Sequence, residues 1–302
     1  MKKLEIKINN QLNNKTIKHL LFNHLEMSDK LITDLKKGDF IKLNEKSCTV
    51  RNELKIGDVV EITIPETEAS NIIPVKGEID ILYEDDDVLV VNKPKGMVVH
   101  PAAGHFTDTL VNAIMFHCKD NLSGINGVLR PGIIHRIDKD TSGLLVACKN
   151  NKAHRNLAEQ FKNKETTTRK YYAIVVGSIG HNLGKINAPI GRDPGNRQKM
   201  AVVEGGKEAV THFKVIERFK DFTLIECKLE TGRTHQIRVH MAFINHSVLN
   251  DPLYGVKKQT TEFGQYLHAK TLGFVHPVTN EYMEFDSELP EEFKQMLDEL
   301  RK

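Results

Sequence analysis

The residues with the greatest chemical potential lie in one run, Arg130-Pro-Gly-Ile-Ile-His-Arg-Ile-Asp-Lys-Asp-Thr-Ser-Gly-Leu-Leu145. Asp138 is its central carboxylate, with His135 and Arg136 just upstream, and Thr141, Ser142 and Gly143 turn the chain into Leu144-Leu145-Val146. A polar, turn-forming segment between two apolar runs is how a loop presents a side chain from a rigid sheet. Neighbouring arginines favour the ionised carboxylate, the form that a nucleophile or base needs. A turn aspartate capping Thr141 or Ser142 is the structural alternative. His135 is expected to stabilise the loop as a donor rather than to serve as a base.

Other clusters carry less. His235 and His240 stand five residues apart, which on a strand sends them to opposite faces, and no HExxH accompanies them, so we expect no metal site. The four cysteines, Cys48, Cys118, Cys148 and Cys227, contain no CxxC pair and read as small buried apolar residues, with neither a disulfide framework nor a zinc site implied. The acidic run Glu84-Asp-Asp-Asp87 reads as a solvated turn. His135-Arg136-Ile137-Asp138 lacks the spacing of a kinase catalytic loop, and no glycine-rich nucleotide loop precedes it.

The elements that must position these groups are mixed. Ile17, Leu20, Leu21 and Leu25 follow one helix face, and Ser28 is placed to cap a second helix bearing Leu31, Ile32 and Leu35, with Gly38 at its end. Phe40 to Leu43 and Val59 to Ile64 read as short strands, and Pro65 to Asn71 as a linker. Further on, Val88 to Val91 predicts a strand, and Thr107 or Asp108 a cap for a helix with Leu110, Val111, Ile114 and Met115. Asn151 to Phe161 has helix spacing, and Thr223, Ile225, Cys227 and Leu229 alternate as a half-buried strand does. Pro290 opens a last helix with Phe293, Met296, Leu297 and Leu300 on one face. This irregular interleaving predicts an α+β fold rather than a doubly wound sheet.

Net charge is only +3, but between Arg130 and Met200 there are 14 Lys or Arg against 5 Asp or Glu, a local +9. Such a concentrated field fits a phosphate backbone, or a solvated basic surface. Nothing approaches the roughly 18 apolar residues of a membrane span, and the N-terminus has no apolar core of a signal peptide. We therefore expect a soluble cytoplasmic protein.

The Asp138 run resembles the HR-L-D-x-x-T-S-G-L-L signature of the RluA-type pseudouridine synthases, with Ile137 for the usual leucine. Upstream, Asp87-Val-Leu-Val-Val-Asn-Lys-Pro-Lys-Gly-Met-Val-Val-His-Pro101 is similar to that family's first motif. Downstream, Arg169-Lys-Tyr-Tyr-Ala-Ile-Val-Val-Gly177 is similar to K-x-Y-x-A-x-V-x-G, which puts the family tyrosine at Tyr171, and Leu229-Glu-Thr-Gly-Arg-Thr-His-Gln-Ile-Arg-Val-His240 to the third motif. Four ordered motifs are far more specific than any one. The departures are Ser247 and Asn250, where the family tends to have proline and glycine. Gly-Asp-Phe-Ile-Lys-Leu-Asn (38–44) and Lys55-Ile-Gly-Asp-Val-Val60, with Lys30, Lys36, Lys37 and Lys42 nearby, resemble the S4 RNA-binding domain and narrow the likeness to the RluC/RluD-like branch.

The resemblance implies an S4-like α/β domain over 1–65, a linker over 66–77, and over 78–302 a pseudouridine synthase catalytic domain built on a mixed, largely antiparallel sheet. It implies an isomerase acting on specific uridines of large-subunit ribosomal RNA or its assembling particle. The reaction breaks the C1′–N1 bond, turns the uracil and rejoins it through C5. No redox change is involved, so no cofactor is expected, and the uridine must leave its stack. In the family reading Asp138 attacks C1′ or the ring, or assists glycal formation. Arg136 would enter the space left by the flipped base, Tyr171 would stack on the uracil and could act as a base, Arg238 would pair with Asp138, and Ile237 would wall the pocket. His135 joins the same substrate-facing group. Alternation along Gln236, Arg238 and His240 predicts that these three share a strand face. An RNA-binding assembly factor and a transfer-RNA enzyme are the competing functions. One S4-like module and one complete site are compatible with a monomer.

Overall fold

Short apolar alternations build the first part of the chain. β1 (Lys2–Lys7), β2 (Ile41–Leu43), β3 (Lys46–Ser47) and β4 (Val59–Ile64) form an antiparallel sheet in the order β1-β4-β2-β3. Leu4 and Ile6 of β1 lie opposite Ile62 and Val60 of β4, so the apolar residues of both strands share one face. That face is covered by α1 (Ile17–His19), which widens into a π turn over Leu20–His24, and by α2 (Asp29–Lys37). Ile17, Leu20, Leu21, Leu31, Ile32 and Leu35 are all buried there, while Leu25 is only half-buried. β1 is an addition to the sequence reading. The left-handed residue after α2 is Asp39 (φ 52), one position beyond Gly38.

This computed structural model describes every residue except 1, 26, 28, 65–71, 103, 119–131, 164, 256–260 and 262, and leaves aside the side chains of 2, 29 and 30. The expected cap at Ser28, the linker stretch 65–71 and the Arg130-Pro131 opening of the Asp138 run lie outside the described residues. No helix among those described is long and apolar enough to cross a membrane.

The rest of the chain is organised by one large sheet. Its strands are β5 (Asp80–Glu84), β6 (Val88–Lys93), β7 (Ser142–Cys148), β8 (Thr168–Val176) and β9 (Leu183–Asn187), then, after a separate β10–β11 hairpin (Ile190–Arg192 and Met200–Val202), β12 (Val210–Arg218), β13 (Phe222–Leu229), β14 (Leu267–Val275) and β15 (Tyr282–Asp286). The spatial order is β5-β6-β7-β14-β8-β13-β12-β9, with β15 also on β14. Every pairing is antiparallel except β7 with β14. The fold is α+β, as the pattern predicts, with the mixed, largely antiparallel sheet that the resemblance implies.

Both faces of the central strands are covered, which is why β6 and β7 read as unbroken apolar runs rather than alternations. Leu89, Val91, Leu145 and Ala147 face α3 (Leu110–Cys118) and α5 (Gln236–Phe243). Val88, Val90, Leu144 and Val146 face the opposite way, toward Leu157 of α4 (Asn151–Asn163). α6 (Glu291–Leu300) closes the same side further along through Phe293 and Leu297. Thr109 caps α3, its hydroxyl accepting from Asn112 N–H at 3.4 Å, in place of the expected Thr107 or Asp108. Residues 72–75 are docked on α3: Ile72 is buried, Val75 N–H donates to Asn112 O at 3.1 Å, and Asn112 Nδ2 donates to Ile73 O at 2.8 Å.

Two refinements concern local chemistry. The acidic run is solvent-facing, as expected, but it is also tied: Asp85 accepts from Tyr83, His276, Asp87 N–H and Val88 N–H, while Glu84 pairs with Lys149 at 2.9 Å and His117 at 2.7 Å. Of the cysteines, Cys48 is only half-buried and the other three are buried.

The decisive local feature is a fork. β7 pairs with β14 only at Ser142 and Gly143, after which β15 takes up the far half of β14. Gly143 (φ +112) permits this approach, since a Cβ there would sit 2.3 Å from Ala269 O. The edge of β7 freed by the fork is filled by the chain just upstream of Asp138. Cys148 N–H donates to Gly132 O at 2.7 Å, Ile133 bridges to Ala147, and Val146 N–H donates to the His135 ring at 3.1 Å.

Candidate active site

The Asp138 loop is therefore pinned at both ends to β7. His135 Nε2 stands where a strand carbonyl would accept, its ring stacked on Phe161 with centroids 4.7 Å apart. Burial, reinforced by the Arg169 charge, pulls its pKa down to about 3, which keeps the ring neutral and Nε2 free to accept. His135 thus fixes the loop as expected, but as an acceptor rather than a donor. Lys93, fully buried at the end of β6, donates to Pro94 O, Met97 O and Lys139 O at 2.8, 2.9 and 2.9 Å. One ammonium thus joins the 94–97 turn to the residue after Asp138. Burial draws its pKa down to about 7 against the pull of Asp140 and Asp138.

Arg238 lies on α5, a helix, where the sequence analysis placed a strand. Gln236 and His240 share one helix face and both reach Thr211 Oγ1, at 3.0 and 2.9 Å. Arg238, two residues from each, points about 200° away and meets Asp138. Arg238 thus pairs with Asp138 as expected, but from a helix face opposite Gln236 and His240 rather than from a shared strand face. Apolar Ile237, Val239 and Met241 pack this short helix so fully that its pattern does not distinguish helix from strand. His240 spends its ring nitrogens on Thr211 and on Ala188 O at 2.9 Å.

Arg238 is 4% exposed and holds two carboxylates. Nη1 donates to Asp138 Oδ2 at 2.8 Å, while Nε and Nη2 donate to Asp251 Oδ2 and Oδ1 at 2.7 and 2.9 Å. Burial opposes its charge, but the Asp251 hydrogen bonds and both carboxylate charges outweigh it and raise the pKa above the usual arginine value. Asp251 also accepts Leu253 N–H and Tyr254 N–H at 2.8 and 3.0 Å, so its position is fixed by its own turn. The turn is entered through Asn250 in the left-handed region (φ 61), a conformation asparagine tolerates where glycine is usual. Ser247 is buried.

The second oxygen of Asp138 is left to face His235 Nε2 at 3.8 Å. His235 sits in the left-handed region (φ 57) ahead of α5, and its Nδ1 bonds Tyr254 OH at 2.9 Å. Tyr254 OH in turn accepts Met200 N–H at 2.8 Å. With the phenol donating to Nδ1, Nε2–H is directed toward Asp138. Burial lowers the His235 pKa, Arg238 and Arg136 adding to the effect against Asp138 and Asp251.

These groups open onto a cavity of about 520 Å³. Asp138, His135, Arg136, Ile137, Tyr171, Ile237 and Arg238 all line it, so every residue singled out from sequence is brought to one place. Tyr171 projects from β8 and is 8% exposed; burial raises its phenol pKa, with Asp138 adding and Arg169 opposing. Arg136 is exposed at the rim, and Ile237 is buried in the wall. Sequence reasoning missed Asp251, Tyr254 and Lys93, and weighed His235 only as a metal ligand. The available signal was physical: an arginine in an otherwise apolar run needs a carboxylate partner if it is buried, and Asp251 stands in a turn sequence, Asn-Asp-Pro-Leu-Tyr-Gly, soon after it.

The family described as RNA pseudouridylate synthase matches residues 87–243, the span that carries Asp138, Tyr171 and Arg238. This chain belongs to that family. The enzyme is an RNA pseudouridine synthase, and RNA is its substrate. A Bacillus subtilis (strain 168) protein described as an uncharacterized RNA pseudouridine synthase is 56% identical over 268 residues, covering 89% of this chain and 88% of that one. The ribosomal large subunit pseudouridine synthase D of Zymomonas mobilis is 48% identical over 264 residues, 83% of each chain. Among solved structures, human RNA pseudouridylate synthase domain containing 1 superposes with a TM-score of 0.58 at 25% identity, covering 74% of this enzyme and 95% of that protein. The synthase thus shares its fold with a distant relative over most of its length.

Proposed function

We propose that this synthase isomerises specific uridines of large-subunit ribosomal RNA in the cytoplasm, on free RNA or its assembling particle, with Asp138 as the catalytic carboxylate. The observation that carries the reading is the division of labour at Asp138. Oδ2 is held by Arg238 at 2.8 Å, while Oδ1 is turned to a cavity that Tyr171 also lines. A fixed rotamer and a permanent positive partner suit a carboxylate that must stay ionised while it acts on the C1′–N1 bond or assists glycal formation.

A cavity of about 520 Å³ accommodates one nucleotide and no duplex. The target uridine therefore enters by leaving its stack, and Arg136 at the rim is positioned to fill the vacated space. Tyr171 stacks on the uracil against Ile237. Its raised pKa keeps the phenol protonated at neutral pH, so any role as a base requires its proton to pass on in the same step. Residues 1–65 form the S4-like RNA-binding domain, 66–77 link it to the catalytic domain over 78–302, and exposed Lys36, Lys37 and Lys42 supply phosphate contacts. Relatives named as ribosomal large subunit pseudouridine synthase D support the choice of RNA.

The test is tritium release from large-subunit ribosomal RNA labelled at uridine C5, because joining the sugar to C5 displaces that label. Wild type is expected to release it, and Asp138→Asn to release it at least about a thousandfold more slowly. Full activity of the Asp138→Asn variant would sink the assignment. Release from transfer RNA alone would redirect the substrate.

A further inference from the structure

Arg169 leaves β8 on the same face as Tyr171, two residues away, and its guanidinium lies in the cavity wall. It is 9% exposed. Apart from the Phe161 ring, whose centroid is 5.6 Å from its Cζ, it has no partner among the described residues, and its buried Nε has no acceptor. Arg238 is also buried but carries two carboxylates; Arg169 carries none among the described residues. Space is reserved for it all the same. Gly232 lies against Nη1, where a Cβ would come within 2.9 Å and displace it.

A guanidinium stays charged at any accessible pH, and burying it without an anion is costly. Such an arrangement is explained when the occupant of the site brings the anion. The lining itself offers none to spare: Arg136, Lys162, Arg169, Arg233 and Arg238 stand against Asp138 alone, which Arg238 already holds. Two residues on one strand face are about 7 Å apart, a gap that one nucleotide bridges with its base at one end and a phosphate at the other. The planar fork of arginine fits a phosphate better than a single uracil carbonyl does.

We infer that Arg169 is a phosphodiester-binding residue, holding a backbone phosphate next to the target nucleotide while Tyr171 meets its base. This rests on the reading of Tyr171 and Asp138 given above. It makes the cavity a two-point reader of flipped RNA, with the phosphate fixing how deep the uracil sits beside Asp138.

Two binding measurements on the full chain test it. The affinity for large-subunit ribosomal RNA is measured across a salt series for wild type, Arg169→Gln and Arg169→Lys. Loss of one phosphate contact lowers the slope of log affinity against log salt by roughly 0.7 to 0.9 in Arg169→Gln and leaves it in Arg169→Lys. In parallel, uridine, uridine 5′-monophosphate and uridine 3′-monophosphate are titrated by NMR. Wild type is expected to bind one of the nucleotides at least tenfold more tightly than uridine, and Arg169→Gln to bind all three alike. An unchanged slope overturns the phosphate site. So does a wild type that binds uridine as tightly as both nucleotides, a result that needs no variant to fold and would point to a uracil contact instead. Tritium release is scored separately: release with an unaltered slope removes the phosphate site and keeps the isomerase reading, and no release with an altered slope does the reverse.

Discussion

Arg238 and Asp251 meet side-on, Nε and Nη2 of the guanidinium on two carboxylate oxygens at 2.7 and 2.9 Å, and this pair fixes the arginine before Asp138 is considered. The third nitrogen is thereby aimed, so the geometry at Asp138 is inherited from a turn 13 residues beyond α5's arginine.

Asp251→Asn is expected to cost about 3–5 kcal/mol of stability, because it strips a buried guanidinium of its bidentate counter-ion. Denaturant midpoints measure the loss. Turnover should fall too, although Asp251 is fully buried behind Arg238, since the freed arginine can rotate onto both oxygens of Asp138. Wild-type stability and turnover in Asp251→Asn would show that the pair does not position the site.

Tyr171→Leu keeps an apolar wall and removes the ring. Base–aromatic stacking is worth about 1–3 kcal/mol, so KM for ribosomal RNA should rise by roughly 5- to 150-fold in tritium-release kinetics. An unaltered KM would refute the stacking role.

The pH dependence of stability follows from buried neutral histidines. The folded-state pKa of His135 is about 3 and that of His268 about 4, both below the ordinary value of 6.5. Their contribution is complete above pH 6.5 and is lost as pH falls toward the folded values, because only the unfolded chain takes up the protons. Each proton contributes a slope of roughly 1.4 kcal/mol per pH unit. Thermal midpoints should drop between pH 6 and 4, and His135→Gln, whose amide oxygen can accept from Val146, should flatten the drop by about one proton's worth. Parallel curves for the two proteins would contradict this.

Exposed lysines of the first unit give the last expectation. Replacing Lys36, Lys37 and Lys42 together by glutamate should weaken RNA binding and reduce its salt slope by about one unit or more. Each residue is exposed, so the fold should persist, as a thermal melt would verify. Unchanged affinity would mean that this surface does not carry RNA.

The sequence made the chemistry more legible than its supports. Asp138, Tyr171 and Arg238 stand in ordered motifs and converge on one cavity. Gln236 to Phe243 misled because a short helix buried on nearly all sides loses its amphipathic signature. Asp251 and Lys93 escaped notice because their roles depend on burial, which only tertiary packing sets. Thr109 displaced Thr107 and Asp108 as the cap for a similar reason: its partner Asn112 is anchored from elsewhere, through Ile73 and Phe106. Arg169 shows the same limit. Alternation sets Arg169, not Lys170, on the face of Tyr171, but that its guanidinium is buried with no carboxylate beside it among the described residues is decided only by packing.

The place of β14 at the fork has a consequence for synthesis. This strand is made after β7, β8 and α5, yet it lies between β7 and β8 and ties Ser142 to His268 across 126 residues. Until it is in place the sheet is two halves, one bearing Asp138 and the other Tyr171 and Arg238. A nascent chain lacking residues 267–275 thus cannot close the sheet that sets the strand of Tyr171 beside the strand that follows Asp138, so the cavity is completed only after β14 has been made.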